Sequence, residues 1–364
     1  MDRTRSADRL IGRTARIFRV RHVHFRSCEE IMSPSSSDKR GGTRARRFGV
    51  PFGIASFALS AAAFLLGMSP DQSLACACGC GVFAVGTSSM LPSGAGGTAY
   101  LEYDYQDQTI NWHNTGRASA ADNSDKDLRT NFFTAGLQYM FNRSWGVQLE
   151  IPYWDRKFTT DTNFGNSPPD LVTAHWSDLG DIRLQGIYTG FSEDLSTGLT
   201  FGVKLPTGSY QIDPAVVDRD SQIGSGSTDL LLGGFHRAAL TSDNIWSWYA
   251  QALLDQPVLT QEGYRPGTEL DAATGVTYNG WVFGNLTVSP LAQIIGSERT
   301  RDSGPNSAQP VASGYQRILL SPGVEFDIDQ FSAYTDFELP VWQRFRGDQL
   351  TAPWMMKFIV AYHF

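Results

Sequence analysis

Apolar and polar residues alternate with period two along most of the chain from residue 97 onward, in segments separated by turn-rich stretches. This pattern is typical of β-strands that have one apolar and one polar face. In the second segment Phe133, Leu137 and Phe141 share one face, and the third segment begins directly after Asn142-Arg143. No helical period competes with the alternation. The pattern therefore predicts an all-β fold of about 12 strands.

The connections between the predicted strands alternate in length. Short connections are predicted at 142–143, 192–196, 241–244, 279–280 and 329–330. Long polar connections are predicted near 113–128, 156–177, 206–225, 256–267, 297–313 and 343–352. An up-and-down antiparallel barrel in a bacterial outer membrane has short periplasmic turns and longer extracellular loops. The alternation therefore predicts a transmembrane β-barrel over residues 97–364.

A soluble β-sandwich is the main alternative, since it too contains alternating strands and turns. Aromatic residues favour the barrel, because they lie near the ends of the apolar faces, as in the girdles at two membrane interfaces. These aromatic residues are Tyr103, Tyr105, Tyr139, Phe141, Trp145, Tyr153, Trp246, Trp248 and Tyr362.

The last predicted strand ends the chain on an aromatic residue after a run of alternating apolar positions. This ending resembles the C-terminal assembly signal of bacterial outer-membrane barrels, and its residues are Phe358, Val360, Tyr362 and Phe364. The resemblance implies two kinds of partner, which are outer-membrane lipid and the barrel-assembly machinery.

The first 75 residues have the layout of a secretory leader. Basic residues precede the apolar stretch 48–68, and Ser73-Leu74-Ala75 supplies small residues for cleavage after Ala75. We therefore expect a basic leader and signal peptide over 1–75 and a periplasmic, Cys- and Gly-rich segment over 76–96. A permanent N-terminal anchor helix is the alternative. Met32 is a second candidate start, because it would begin a signal peptide of ordinary length.

Loss of the leader changes the charge of the chain. It removes 13 of the 30 basic residues and 6 of the 37 acidic residues, which leaves 17 basic and 31 acidic side chains and a net charge of −14. Such a chain is a poor nucleic-acid binder, because phosphate backbones are held by clustered Lys and Arg. Cations are better-matched partners.

Charged side chains are costly against lipid, so the polar faces of the strands are expected to line the lumen. These faces carry ten acidic and four basic candidates. The lumen candidates are Glu102, Asp104, Glu150, Asp181, Arg183, Lys204, Asp229, Glu269, Asp271, Arg317, Glu325, Asp336, Glu338 and Lys357.

Three glycine-containing motifs lie at predicted strand ends between residues 175 and 240. They are Leu179-Gly180-Asp181-Ile182, Lys204-Leu205-Pro206-Thr207-Gly208 and Gly224-Ser225-Gly226-Ser227-Thr228-Asp229. In these motifs the chain resembles the outer-membrane β-barrel family of meta-pathway phenol-degradation transporters. The resemblance implies an outer-membrane location and the passage of small aromatic molecules. The same glycines also suit strand ends, where small residues permit tight turns.

Cys76, Cys78 and Cys80 lie at the start of the predicted mature chain, in an oxidising compartment. Three interpretations stay open. The thiols could bind a soft metal such as Cu(I), two of them could form a disulfide, or Cys76 could carry a lipid.

Catalytic motifs are missing from the sequence, which has neither a Gly-x-Ser-x-Gly elbow nor a His-Glu-x-x-His run. We therefore predict no enzymatic activity, and no cofactor apart from a soft metal ion at the cysteines. The leading hypothesis is a narrow pore or passive transporter for small solutes, cation-preferring or aromatic. The first alternative is a structural or metal-handling barrel whose cysteine cluster binds a soft metal or a partner protein. The second is a barrel lipid hydrolase.

Overall fold

The computed structural model describes residues 90–92, 94–307 and 310–364. The predicted leader and Cys76, Cys78 and Cys80 lie outside these residues. The signal peptide and the chemistry of the cysteines therefore stay predictions.

The described chain is built almost entirely of strands. Its elements are β1 (Gly96–Gln108), β2 (Ile110–Asn114), β3 (Gly116–Arg117), β4 (Asp125–Met140), β5 (Trp145–Asp161), β6 (Leu171–Leu179), β7 (Ile182–Tyr188), β8 (Thr197–Leu205), β9 (Ser227–Ala239), β10 (Trp246–Thr260), β11 (Glu269–Tyr278), β12 (Trp281–Phe283), β13 (Leu286–Arg299), β14 (Tyr315–Ile328), β15 (Phe331–Thr351) and β16 (Met355–His363). Three short 3₁₀ helices lie in loops, at Ala120–Asp122, Arg219–Ser221 and Pro310–Ala312. None of the described helices is long and apolar enough to span a bilayer.

The strands form one closed antiparallel barrel of twelve staves. β6 and β7 act as a single stave, because both pair with β5 and only Gly180 and Asp181 separate them. The short strands β2, β3 and β12 lie outside the ring, and β16 pairs with β1 to close it. At this seam the Gly97 amide donates to the Phe364 carbonyl at 2.7 Å. The prediction of a twelve-stranded all-β barrel is confirmed.

The alternation places apolar side chains outside and polar side chains inside. Leu101 is 67% exposed, whereas Asp104 on the opposite face of β1 is 5% exposed. A soluble sandwich would bury the first and expose the second, so this arrangement excludes it. The exterior is an apolar belt that suits lipid, and it defines an integral membrane barrel.

Aromatic side chains ring this belt at both ends, as the sequence predicts. At the periplasmic end Phe141, Trp145 and Trp246 are 61%, 49% and 42% exposed. At the extracellular end the rings of Tyr103 and Phe133 contact each other at 5.1 Å, and Tyr153 is exposed beside them. Such girdles are characteristic of the two membrane interfaces.

Two predicted long loops are wrong over much of their length. β5 and β6 continue through most of 156–177, and β15 continues to Thr351 through most of 343–352. These strand ends project beyond the apolar belt, where Phe158, Trp176 and Leu350 are buried in an apolar cluster. The hydrogen bonds between the strands continue there, but the alternation of apolar and polar residues does not. The sequence pattern therefore indicates a loop where the structure has strands. The predicted two-residue turn at 279–280 is also wrong. The connection between β11 and β13 is longer, because it contains the short strand β12, which forms a hairpin with the start of β13.

Candidate functional site

All fourteen lumen candidates from the sequence are buried or half-buried in the structure. The half-buried ones are Glu102, Glu150, Arg183, Lys204 and Glu269, and the buried ones are Asp104, Asp181, Asp229, Asp271, Arg317, Glu325, Asp336, Glu338 and Lys357. The outer face of the barrel is apolar, so charged side chains that are shielded from the outside are expected to face the lumen.

A cavity of about 230 Å³ lies inside the barrel. It has room for on the order of 15 water molecules. Its walls are mainly side chains of β1, β4, β5 and β7–β10, with one residue each from β11, β13 and β16 and further residues from loops and the segment before β1. Of the described residues that line it, none belongs to β14 or β15. We call the half of the lumen that contains this cavity the open side.

Seven of the fourteen candidates line the cavity together. They are Glu102, Glu150, Asp181, Arg183, Lys204, Glu269 and Lys357. Further charged lining residues were not predicted, and they are Arg219, Asp220, Asp255 and Arg299. The cavity wall thus carries six acidic and five basic side chains, which is closer to balance than the acidic lumen that the sequence predicts.

The two lysines of the cavity are each compensated by two carboxylates. Lys204 forms an ion pair with Asp255 at 2.8 Å and another with Asp229. Lys357 lies 3.2 Å from Glu102 and 3.3 Å from Asp104. The positive charge of each lysine is therefore neutralised by its own partners, so it contributes little to the electrostatic potential inside the cavity.

Glu150 and Glu269 are held instead by neutral donors. The Glu150 carboxylate accepts from the Tyr100 hydroxyl at 2.8 Å and from the Gln148 amide at 2.7 Å. The Glu269 carboxylate accepts from the Tyr315 hydroxyl at 2.5 Å. Hydrogen bonds from neutral groups fix a carboxylate without cancelling its charge. Arg183 lies next to Glu150 in the strand register.

Met90, Leu91 and Pro92, which precede β1 in the chain, lie inside the lumen. The Gln138 amide donates to the Met90 carbonyl at 3.0 Å, and the Arg237 guanidinium donates to the Pro92 carbonyl at 2.9 Å. Leu91 is 8% exposed and belongs to an apolar cluster of inward side chains. These residues line the cavity, so the predicted periplasmic segment 76–96 ends inside the barrel. In the sequence, the feature that could have indicated burial of this segment is the apolar pair Met90-Leu91 among small residues.

The loop 206–226, between β8 and β9, lies over the extracellular end of the cavity. Arg156 on β5 holds it by donating to the Ser221 carbonyl at 2.6 Å and the Gln222 carbonyl at 3.0 Å. Arg219 in the loop lies 4.3 Å from the ring centre of Tyr264 in the neighbouring loop. Burial and the adjacent Asp302 raise the pKa of the Tyr264 hydroxyl well above its usual range, and burial lowers the pKa of Arg219. The sequence did not single out any of these residues.

The three glycine-containing motifs meet at this same end. The Asp181 carboxylate accepts from the Gly208 amide at 3.0 Å and from the Ser225 amide at 2.8 Å. A Cβ on Gly224 would lie 2.1 Å from the Gly208 carbonyl oxygen, so the two chains can approach this closely only without side chains. The motifs therefore anchor the loop 206–226 to the barrel wall.

The other half of the lumen is filled, and we call it the packed side. The Asp336 carboxylate accepts from the Ser321 hydroxyl at 2.6 Å, the Tyr334 hydroxyl at 2.6 Å and the Gln293 amide at 2.9 Å. The Tyr249 hydroxyl reaches across from β10 and donates to Gln293. This network connects β10, β13, β14 and β15 through side chains.

A serine and a threonine hydroxyl flank the ring of His363 at the barrel seam. The Ser332 hydroxyl lies 3.1 Å from His363 Nε2, and Thr98 lies 3.0 Å from His363 Nδ1. Ser332 is 6% exposed at the β15–β16–β1 seam and does not line the cavity, so these contacts serve strand closure. Within residues 90–92, 94–307 and 310–364, no group of three or more His, Cys, Asp or Glu is arranged to hold a metal ion.

The predicted assembly signal lies on the outer face of β16. Phe358, Val360, Tyr362 and Phe364 are 41%, 42%, 39% and 55% exposed. The Phe364 ring stacks on Tyr362 at 6.1 Å. Recognition of this strand by an assembly machinery stays a prediction.

The closed ring, apolar belt and aromatic girdles together define an outer-membrane β-barrel of a Gram-negative bacterium. A family model described as "Putative MetA-pathway of phenol degradation" matches residues 113–352. Because this match spans well over half of the chain, the protein belongs to that family.

The chain is similar to several solved structures. The COG4313 outer membrane channel from Pseudomonas putida F1 is 12% identical with a TM-score of 0.55, over 77% of this chain and 100% of that chain. The β domain of the Bordetella autotransporter BrkA is 14% identical with a TM-score of 0.44, over 74% and 100%. The P. putida toluene transporter TodX is 11% identical with a TM-score of 0.38, over 76% and 91%. No curated protein matches the chain.

Proposed function

We propose that the protein is a passive transporter, or narrow pore, for small solutes across the outer membrane. The observation that supports this most is a cavity with both polar and apolar walls inside a closed barrel, bounded by Met90–Pro92 at the periplasmic end and by the loop 206–226 at the other. A barrel that served only as an anchor would have no need for such a space. Twelve strands enclose a lumen intermediate between filled small barrels and open porins.

The charge of the cavity supports a preference for cations. Lys204 and Lys357 are each neutralised by two carboxylates, whereas Glu150 and Glu269 are held by uncharged donors. Arg183 is the charged neighbour that Glu150 and Glu269 share, so two carboxylates face one guanidinium on this part of the wall, and an entering cation meets a local excess of negative charge.

The apolar part of the cavity supports solutes with a single ring. Leu91, Trp154, Ile187, Phe235 and Leu253 contribute to its walls. A volume of about 230 Å³ lies below the 300–1,000 Å³ that is usual for drug-sized ligands. The family description, which names phenol degradation, is in keeping with small aromatic solutes.

Reconstitution in planar lipid bilayers tests the proposed function. We expect discrete conductance steps and, in a KCl gradient, a reversal potential on the cation side. The Glu150→Gln, Glu269→Gln double variant should move the reversal potential towards anions, whereas Asp243→Asn in a fully exposed periplasmic turn should not. Absence of conductance by the folded wild-type protein would contradict the proposal.

Current block tests the proposed solute class. Benzylammonium combines a single ring with a positive charge, and we expect it to reduce the current at concentrations at which ethylammonium does not. Equal block by both amines would argue against an aromatic site and leave only the charge preference.

The N-terminal segment offers a further test of the same pathway. Replacement of Met90, Leu91 and Pro92 by glycine should raise the conductance several-fold, because Leu91 and its neighbours occupy the periplasmic end of the cavity. Gly94→Ser is the matched control, since a Cβ at residue 94 has no atom within 4 Å. An unchanged conductance would show that solutes pass elsewhere.

The two alternative functions depend on other observations. The metal-handling alternative depends on Cys76, Cys78 and Cys80, which lie outside the described residues, and a mass measurement on the mature N-terminus would test it. A lipid-hydrolysis assay on purified protein would test the hydrolase alternative. We propose a non-enzymatic protein.

A further inference from the structure

The outer surface just above the apolar belt differs between two sectors of the barrel. On β4–β6 the charged side chains at this height are mixed in sign and paired. Lys157 lies 3.2 Å from Asp127, and His175 lies 2.8 Å from Asp155. Arg129 is exposed beside them and faces Asp107 in the strand register. This sector is close to electrical balance.

On β13–β15 the charged side chains at the same height are mainly arginines. Arg344 and Arg346 alternate with the buried Phe345 on β15, so both lie on the outer face, and Arg301 is exposed just beyond the end of β13. We call Arg301, Arg344 and Arg346 the arginine patch. Residues two apart on one strand face are about 6.6 Å apart, so the guanidinium groups can reach one ligand.

Glu298 is a carboxylate beside this patch, and Asp348, two residues beyond Arg346, lies 3.1 Å from His113. Glu298, Gln316 and Arg344 are aligned across three adjacent strands, and the Gln316 amide donates to Glu298 at 3.0 Å. Arg344 Nε donates to the Asn114 side chain at 3.2 Å.

The patch lies at the depth of lipid headgroups. Trp342, 41% exposed, is the last outward apolar residue of β15, and it follows Leu339 and Val341 at 42% and 60%. With a rise of about 3.3 Å per residue and a tilt of about 40°, Arg344 lies roughly 5 Å and Arg346 roughly 10 Å above Trp342. The apolar surface directly beneath can contact acyl chains while the arginines contact the headgroup.

We propose that the arginine patch binds the phosphate groups of lipopolysaccharide in the outer leaflet. Guanidinium groups pair with phosphate oxygens in a bidentate geometry, and several arginines around one anion reinforce one another. The predicted mature chain has a strong excess of acid, so this local excess of arginine is an exception that a phosphorylated lipid would match. The site is separate from the lumen and independent of the transport function.

The test compares lipids and variants on the purified, folded barrel in detergent, with binding followed by native mass spectrometry. Wild-type protein should bind phosphorylated lipid A at least tenfold more tightly than the same lipid without its phosphates. Arg301→Gln, Arg344→Gln, Arg346→Gln in one chain should lose at least tenfold in affinity. The matched control, Arg129→Gln with Lys157→Gln in the balanced sector, should stay within about twofold of wild type.

Three outcomes would overturn the proposal. They are equal binding of dephosphorylated lipid A, wild-type affinity in the triple variant, and equal competition by phosphatidylglycerol, which would indicate unspecific attraction of anionic lipid. Heat-modifiable electrophoretic mobility reports on folding of each variant. If the triple variant does not fold, Arg301→Gln alone changes only an exposed side chain beyond the barrel, and we expect it to weaken lipid A binding about threefold.

Discussion

The open side and the packed side of the lumen are both formed by strands with the same alternation of apolar and polar residues, but the first contains a cavity and the second is filled by side chains. On the packed side long side chains from four strands meet, and Tyr249, Gln293 and Asp336 close the space with hydrogen bonds. On the open side smaller inward residues such as Thr134 and Thr200 leave the cavity between charged groups that are tied to their neighbours. The comparison teaches that alternation decides which face is inward, whereas the size and reach of inward side chains decide whether a lumen is filled.

The largest effect on stability is expected on the packed side, at Asp336. Asp336→Ala removes the shared acceptor of the Ser321 and Tyr334 hydroxyls in a buried site, while the Gln293 amide keeps those two hydroxyl oxygens as acceptors. We expect a loss of about 3 kcal/mol in the free energy of unfolding. Urea unfolding in detergent micelles, followed by tryptophan fluorescence, measures it. Asp336→Asn keeps one acceptor oxygen and should lose less than half as much; equal losses would show that the network contributes little.

An intermediate effect is expected at Lys204, which borders the cavity. Lys204→Met leaves Asp229 and Asp255 close together without their shared cation. Removal of one partner from a fully dry ion pair costs about 3–5 kcal/mol, and water in the cavity should reduce this to about 2 kcal/mol. The same unfolding measurement applies. Adding Asp229→Asn to the variant should restore part of the loss, and no restoration would mean that the carboxylates do not repel each other.

The smallest effect on stability is expected on the open side, at Glu150. Glu150→Gln keeps an oxygen that accepts from the Tyr100 hydroxyl and removes only the charge. The unfolding free energy should change by less than about 0.5 kcal/mol, while the ion preference moves towards anions. A stability loss as large as that of Asp336→Ala would erase the distinction between the two sides.

Much of the fold could be predicted because its pattern is local. The faces of β4 and β5, including Phe133, Leu149 and Glu150, can be assigned from neighbouring residues alone. The extensions of β5, β6 and β15 beyond the belt could not, because the regular alternation does not continue there and scattered apolar residues such as Phe158, Trp176 and Leu350 are buried by tertiary contacts. The position of Met90–Pro92 inside the lumen could not be predicted either, since three residues carry no periodic signal.

The candidate site was only half predictable for a related reason. Each inward charge could be named, but whether it lines the cavity depends on its partners across the ring. Glu150 and Asp336 read alike as acidic residues on polar faces, yet the first lines the cavity and the second is enclosed by three donors. Arg156 and Arg219 were missed because their partners are backbone carbonyls of a loop.

The sequence by itself determined the number of staves, their inside and outside, and the membrane belt, because these follow from the side-chain period of a single strand. Only the tertiary structure decided which inward side chains meet. Lys204 pairs with Asp255 and Gln293 with Asp336 across 51 and 43 residues of chain. Such contacts depend on the stagger of twelve strands around a closed ring, and no local stretch of sequence contains that information.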